Sequence, residues 1–137
     1  MPTRKQIEAV LENHFKTWNA QEKEAWMANF SDDLRVEDPV GGLVKIGREA
    51  MEKSWENSFK DGHCWTLIPV VTAVCANQAG LHVKNVGKVD GKPVEFDTIE
   101  VWTFDDDCKV CDCKTYFNPA EGDEVDPYFA QLEKAEQ

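Results

Sequence analysis

Residues 93–104 read Pro93-Val94-Glu95-Phe96-Asp97-Thr98-Ile99-Glu100-Val101-Trp102-Thr103-Phe104. Their alternation is that of a strand, and it decides how the second half of the chain is read. With a period of two, Val94, Phe96, Thr98, Glu100, Trp102 and Phe104 share one face, while Glu95, Asp97, Ile99, Val101 and Thr103 share the other. The first face carries the large aromatics and is taken to turn inward. Glu100 then lies among aromatic rings, where desolvation favours the neutral carboxyl. If the Ile99 and Val101 face is the buried one, Glu100 is an ordinary solvated acid.

Strand periodicity extends to both sides. Upstream, Trp65–Ala76 is a β-type run in which Pro69 marks an edge or a bulge, Asn77-Gln78 turns the chain, and Gly80–Val89 precedes a hairpin signal at Asp90-Gly91. Downstream, Asp105-Asp106-Asp107 is a turn and Lys109–Phe117 a last strand. Cys108-x-x-Cys111-x-Cys113 places three thiols close together, yet no paired Cys or His elsewhere completes a structural zinc site. Alternation instead puts Cys111, Cys113, Thr115 and Phe117 on one face, with Cys111 and Cys113 as small core residues. No metal site is expected.

The first 60 residues are helical in period. Thr3-Arg4-Lys5-Gln6 fits a capping box, and Ile7, Val10, Leu11, His14, Phe15 and Trp18 form an apolar stripe to about Ala20. His14 therefore faces inward, either as a core histidine with one satisfied hydrogen bond or as a chemical group. Asn19, with Glu22 three residues on, caps a second short helix containing Trp26, Met27 and Phe30 and ending near Ser31-Asp32-Asp33. Leu43–Ile46 is extended, Gly47 breaks it, and Arg48–Lys60 is a third helix with Met51, Trp55, Ser58 and Phe59 on one side and Asp61-Gly62 as its stop.

Between the helices lies Leu34-Arg35-Val36-Glu37-Asp38-Pro39-Val40-Gly41-Gly42. In a strand, Leu34, Val36 and Asp38 point together, so Asp38 faces the core at a strand end set by Pro39 and a glycine turn. Such an acid suits a proton-transfer base. The plainer alternative is an Asp-Pro turn whose carboxylate caps backbone N–H groups.

Helices followed by a strand meander give an α+β fold: a curved antiparallel sheet wrapped around the N-terminal helices, with an internal cavity. Residues 1–119 form one domain; residues 120–137 are an acidic tail, with a short helix over the cavity or an irregular course as its two readings. The outer sheet face is left bare, so a homodimer is expected to cover it. A net charge of −11 excludes nucleic-acid phosphates and anionic lipid as partners. No apolar run approaches a membrane span of about 20 residues. The N-terminus lacks a signal-peptide h-region and the cysteine count of five is odd, so a cytoplasmic protein with reduced thiols is expected. Neither a P-loop nor a Rossmann glycine pattern occurs, and no cofactor is expected. Trp18, Trp55, Phe59, Phe96 and Trp102 are the candidate lining of a pocket for an apolar small molecule, the alternative being that most of the tryptophans are simply core.

Asn19-Ala20, Phe30-Ser31-Asp32-Asp33, Val36-Glu37-Asp38-Pro39-Val40-Gly41, then Gly47 and a helix with Asn57-Ser58 strongly resemble the ketosteroid isomerases of the NTF2-like, SnoaL-like superfamily. The resemblance runs through about the first 60 residues and, with one short insertion, to Phe117. It implies an NTF2-like (cystatin-like) cone. It also implies that Asp38 is the general base moving a proton between two carbons of an enone, and that Glu100 takes the place of the family's protonated Asp. His14 stands where the family has its oxyanion-hole Tyr. An imidazole can donate a hydrogen bond to an enolate oxygen, but it is shorter than a phenol, and Glu100 is one methylene longer than Asp, so the oxygen-binding point shifts. Two other functions share this superfamily: a SnoaL-like aldol cyclase or dehydratase, and a non-catalytic small-molecule-binding or dimeric adaptor protein in which the three groups form a buried polar network.

Overall fold

Thr3 opens the first helix, α1 (Arg4–Asn19), through a complete capping box: its hydroxyl accepts from Gln6 N at 3.2 Å and its N–H donates to Gln6 Oε1 at 2.8 Å. The structure, a computed structural model, describes residues 1–118. The helix buries Ile7, Leu11, His14, Phe15 and Trp18 on one stripe, as the 3.6-residue period requires. Then follow α2 (Lys23–Met27), β1 (Phe30–Glu37), β2 (Val44–Ile46) and α3 (Arg48–Phe59). After a 3₁₀ turn at Lys60–Gly62 come β3 (Cys64–Cys75), β4 (Gln78–Val89), β5 (Lys92–Phe104) and β6 (Val110–Tyr116).

The six strands form one sheet in the order β2-β1-β6-β5-β4-β3. Every pairing is antiparallel except β1 with β6, which is parallel. A parallel neighbour needs a long crossover, and here it is everything from β2 to β5. The sheet is therefore mixed. α1 packs on β3 and α3 on β1 and β2, and the core fills the space between helices and sheet.

The faces of β5 are settled: Thr98, Trp102 and Phe104 are buried, whereas Ile99 is 52% exposed. Pro69 proves to be both at an edge and at a bulge, since β3 ends the sheet and its register shifts between Pro69 and Val71.

Three local expectations are corrected. The second helix stops at Met27, and Ser31, Asp32 and Asp33 belong to β1, whose register with β6 is irregular between Phe30 and Arg35. Asn19 does not cap it. Its amide donates to Leu67 O at 2.8 Å and accepts from Leu67 N at 2.9 Å, supplying the partners that an edge strand lacks. Cys111 is not a core residue: Phe104 pairs with Val110 and Thr103 with Asp112, so Cys111 is the extra residue of a bulge. It is half-buried with its Sγ on Thr103 O at 3.4 Å, while Val110, Cys113 and Thr115 point inward.

The acidic tail, 120–137, lies outside the described residues. Among the described residues no helix is long and apolar enough to cross a membrane.

Candidate active site

Between α1, α2, α3 and the inner sheet face lies a cavity of about 150 Å³. Its wall is aromatic, with Trp18, Trp26, Phe30, Trp65, Phe96 and Trp102, and its polar groups include His14, Asp38, Asn85, Thr98, Glu100, Cys113 and Thr115. Among the described residues that line it there is no Lys or Arg. The expected trio of His14, Asp38 and Glu100 thus meets in one cavity, from three distant stretches of chain.

Asp38 is positioned by the exit of β1. The strand ends at Glu37, the Asp38–Pro39 peptide is cis, and Val40 N donates to Thr115 O at 2.9 Å, which ties the loop to β6. Gly42 N closes the turn on Pro39 O at 3.0 Å, with Gly41 between them at φ +93°, a left-handed conformation that favours glycine. The half-buried Asp38 borders the cavity, and its negative charge acts on both Glu100 and Cys113.

Glu100 is held on β5 by its own strand neighbours. The Thr98 hydroxyl donates to Oε2 at 2.8 Å and the Trp102 indole N–H to Oε1 at 3.0 Å. Burial, and next the charge of Asp38, push this carboxyl up to about 7, against the opposing pull of those two hydrogen bonds. Cys113 sits beside the pair. Burial first, then the charges of Glu100, Asp112 and Asp38, raise its thiol well above the ordinary range, so it stays protonated.

His14 is 5% exposed, and burial lowers its pKa to about 3, so the ring is neutral at physiological pH. Its Nδ1 accepts from Trp26 Nε1–H at 3.0 Å. The ring proton must therefore be on Nε2, which has no hydrogen-bond partner among the described residues. Trp102 packs edge-on against the ring with centroids 4.5 Å apart, so one indole touches His14 and bonds to Glu100.

Of the other expected lining residues, Trp18, Phe96 and Trp102 border the cavity. Trp55 and Phe59 stand behind it, with ring centroids 5.0 Å from that of Trp18. Trp26, Trp65, Asn85 and Thr98 are site residues that the sequence does not single out. Thr98 is readable as the inward neighbour of Glu100; no local signal marks Asn85, whose role depends on the β4–β5 register. No group of three or more His, Cys, Asp or Glu among the described residues is arranged to hold a metal ion.

The fold is widely shared. The SalBIII protein, described as an epoxide hydrolase/cyclase-like enzyme of pyran ring formation in the polyether salinomycin, is similar with a TM-score of 0.77 at 16% identity, over 86% of this chain and 95% of that one. RV0760c from Mycobacterium tuberculosis in complex with estradiol-17beta-hemisuccinate gives 0.72 at 16%, over 82% and 94%. A putative polyketide cyclase from Xanthomonas campestris pv. campestris gives 0.75 at 15%, over 84% and 92%. At such identities these likenesses concern the fold, but the SnoaL-like domain model matches residues 11–112 of the sequence itself. The chain therefore belongs to the SnoaL-like family.

Proposed function

We propose that this protein is a cofactor-independent general acid/base enzyme of ketosteroid isomerase type, moving a proton beside the carbonyl of a neutral, apolar small molecule. The observation that carries the reading is Glu100, a carboxyl whose pKa of about 7 leaves it largely able to hold a proton while it shares a cavity with Asp38. Asp38 takes the proton from the carbon next to the carbonyl. The negative charge passes to the carbonyl oxygen, which receives hydrogen bonds from the Glu100 O–H and the His14 Nε2–H. Asp38 then returns the proton to the distal carbon of the dienolate. The charge only changes place within the cavity, so no cation is needed to balance it. A positioned base contributes about 10²–10⁴ in rate, and each oxygen donor about 10²–10³.

The wall carries two carboxyls and neither Lys nor Arg among the described residues, which disfavours an anionic substrate. A cavity of about 150 Å³ encloses roughly one six-membered ring, so a larger ligand extends through the mouth. A second reading keeps Asp38 as base but closes a ring by aldol addition, or eliminates water. It is favoured by the fold likeness to a putative polyketide cyclase and to the epoxide hydrolase/cyclase-like SalBIII. Both readings begin with proton abstraction. The test is a panel of β,γ-unsaturated ketones and β-dicarbonyl polyketide mimics in D₂O, followed by NMR. Catalysed deuterium entry beside the carbonyl supports the shared step; double-bond migration or ring closure then separates the two readings, and a panel with no exchange above buffer rejects both.

The five free thiols fit a reducing, cytoplasmic setting. The bare outer sheet face is proposed to pair with a second copy of the chain.

A further inference from the structure

Asn85 lies on β4 opposite Phe96, and its side chain reaches diagonally to Thr98 on β5. Its Nδ2 is 3.1 Å from Thr98 Oγ1 and 3.4 Å from each of the carbonyl oxygens of Val83 and Phe96. Two carbonyls can only accept, so the atom facing them is the amide nitrogen and not the oxygen. An amide nitrogen donates and does not accept. Thr98 Oγ1 is therefore an acceptor toward Asn85, and its own hydrogen is left for another partner. Among the described residues the one acceptor placed for it is Glu100 Oε2, at 2.8 Å. On the other side, Trp102 Nε1–H can only donate, and it ends on Oε1 at 3.0 Å.

We infer that Asn85 and Thr98 are positioning residues: a one-way hydrogen-bond chain, Asn85 to Thr98 to Glu100, which together with Trp102 forces the acidic proton of Glu100 to point into the cavity. Both carboxyl oxygens already accept along the strand, so a proton on Glu100 occupies a lone pair turned away from β5. The groups around it leave the cavity as its direction. Leu81 of β4 and Thr115 of β6 flank Glu100 in the sheet, while Asp38 after β1, His14 of α1 and the protonated Cys113 of β6 share the cavity. Among these, the negative charge of Asp38 acts on Glu100 and attracts that proton. The chain thus selects a rotamer and a lone pair, turning a half-buried glutamic acid into a directed donor. This rests on the acid/base reading for its purpose, but the hydrogen-bond direction is a property of the free protein and is measured without substrate.

The test is a carboxyl-carbon NMR titration of Glu100 in the ligand-free full chain, for the parent protein, Thr98→Val, Thr98→Ser and Asn85→Leu. A hydroxyl that donates to Glu100 stabilises the carboxylate, so Thr98→Val should raise the apparent pKa of Glu100 by about one unit. Thr98→Ser should restore it. Asn85→Leu frees the hydroxyl to rotate and should raise the pKa by a smaller amount. A fall in Thr98→Val would mean that Thr98 accepts the proton of Glu100, and an unmoved value that the bond is absent; either overturns the inference. An unmoved value in Asn85→Leu would remove Asn85 from the chain. If Thr98→Val fails to fold, the Thr98→Ser and Asn85→Leu titrations still decide, since an unrestored pKa in the first or a fall in the second contradicts the proposed direction. Where a ketone is turned over, the alkaline limb of the pH–rate profile should move upward with the Glu100 pKa. A purely structural role for Thr98 would lower the rate and leave the limb in place. Failure of every ketone alongside the predicted titrations would reject the enzymatic reading and leave the chain standing.

Discussion

The indole N–H of Trp26 ends on Nδ1 of His14, 3.0 Å away, and this single contact fixes which side of the imidazole can act. With Nδ1 engaged and the ring neutral, the donor is Nε2–H. Replacing Trp26 by Phe leaves a buried acceptor unsatisfied, which costs about 1–3 kcal/mol of stability and releases the tautomer. Nitrogen NMR of the imidazole should show the Nε2–H form alone in the parent protein and a mixture in Trp26→Phe, with urea unfolding reading the stability loss. A parent ring protonated on Nδ1 would contradict the assignment.

Buried His14 and half-buried Glu100 tilt stability against pH in opposite senses. His14 has a folded pKa of about 3 against an ordinary 6.5, so as pH falls from 6.5 toward 3 the unfolded chain binds a proton that the folded one refuses, and stability drops. Glu100 has a folded pKa of about 7 against 4.5, so as pH rises from 4.5 to 7 the unfolded chain sheds its proton first, and stability again drops. From 4.5 to 6.5 the two slopes oppose each other. Glu100→Gln removes one of them, so its unfolding free energy should climb with pH where the parent's stays nearly level. With the carboxyl carried from 4.5 to about 7, the difference reaches up to about 3 kcal/mol, at about 1.4 kcal/mol for each tenfold change in proton affinity. Equal pH slopes in urea titrations of the two proteins would show that Glu100 titrates normally.

What is legible in the sequence is what is local. The inward placement of His14, Asp38 and Glu100 follows from periods of 3.6 and 2, which depend only on each element being what it is. The Trp26–His14 bond depends on how α2 lies against α1, which no period encodes. Parallel pairing of β1 with β6 has no turn to announce it. Cys111 departs from simple alternation because one bulge shifts the phase of its strand. Asn19 has the composition of a cap, but the unpaired backbone of an edge strand claims its amide.

Gly87 lies against Trp65. A Cβ there would overlap the carbonyl oxygen of Cys64 and approach the Trp65 ring at 2.6 Å. Backbone cannot yield cheaply, so Gly87→Ala should cost about 1–3 kcal/mol and displace Trp65 from the cavity wall. Unfolding curves and the tryptophan emission spectrum together check this; an unchanged midpoint would mean that the β3–β4 spacing relaxes freely.

Val71, His82, Ile99 and Tyr116 stand directly opposite one another across β3, β4, β5 and β6. Three of them are 59%, 52% and 45% exposed, for Val71, Ile99 and Tyr116 in turn. Such a row on the outer face suits an isologous dimer burying about 800 Å² per partner. Sedimentation should find a dimer for the parent protein and a monomer for Ile99→Glu, with the same circular dichroism. A monomeric parent at micromolar concentration would reject the pairing.

Asp38→Asn separates the role of the base from the architecture around it. The amide keeps the size of the side chain but cannot take a proton from carbon, so deuterium exchange into a turned-over ketone should fall about 10²–10⁴-fold. Its effect on the neighbours has a definite sign. The charge of Asp38 helps to raise the Glu100 carboxyl and the Cys113 thiol, so removing it should lower both pKa values, that of Glu100 from about 7. The second effect is read by NMR in the free protein and requires no substrate. A lowered Glu100 pKa with exchange undiminished would place the base elsewhere. An unmoved Glu100 pKa would mean that burial alone keeps the proton, and that Asp38 and Glu100 do not act on each other.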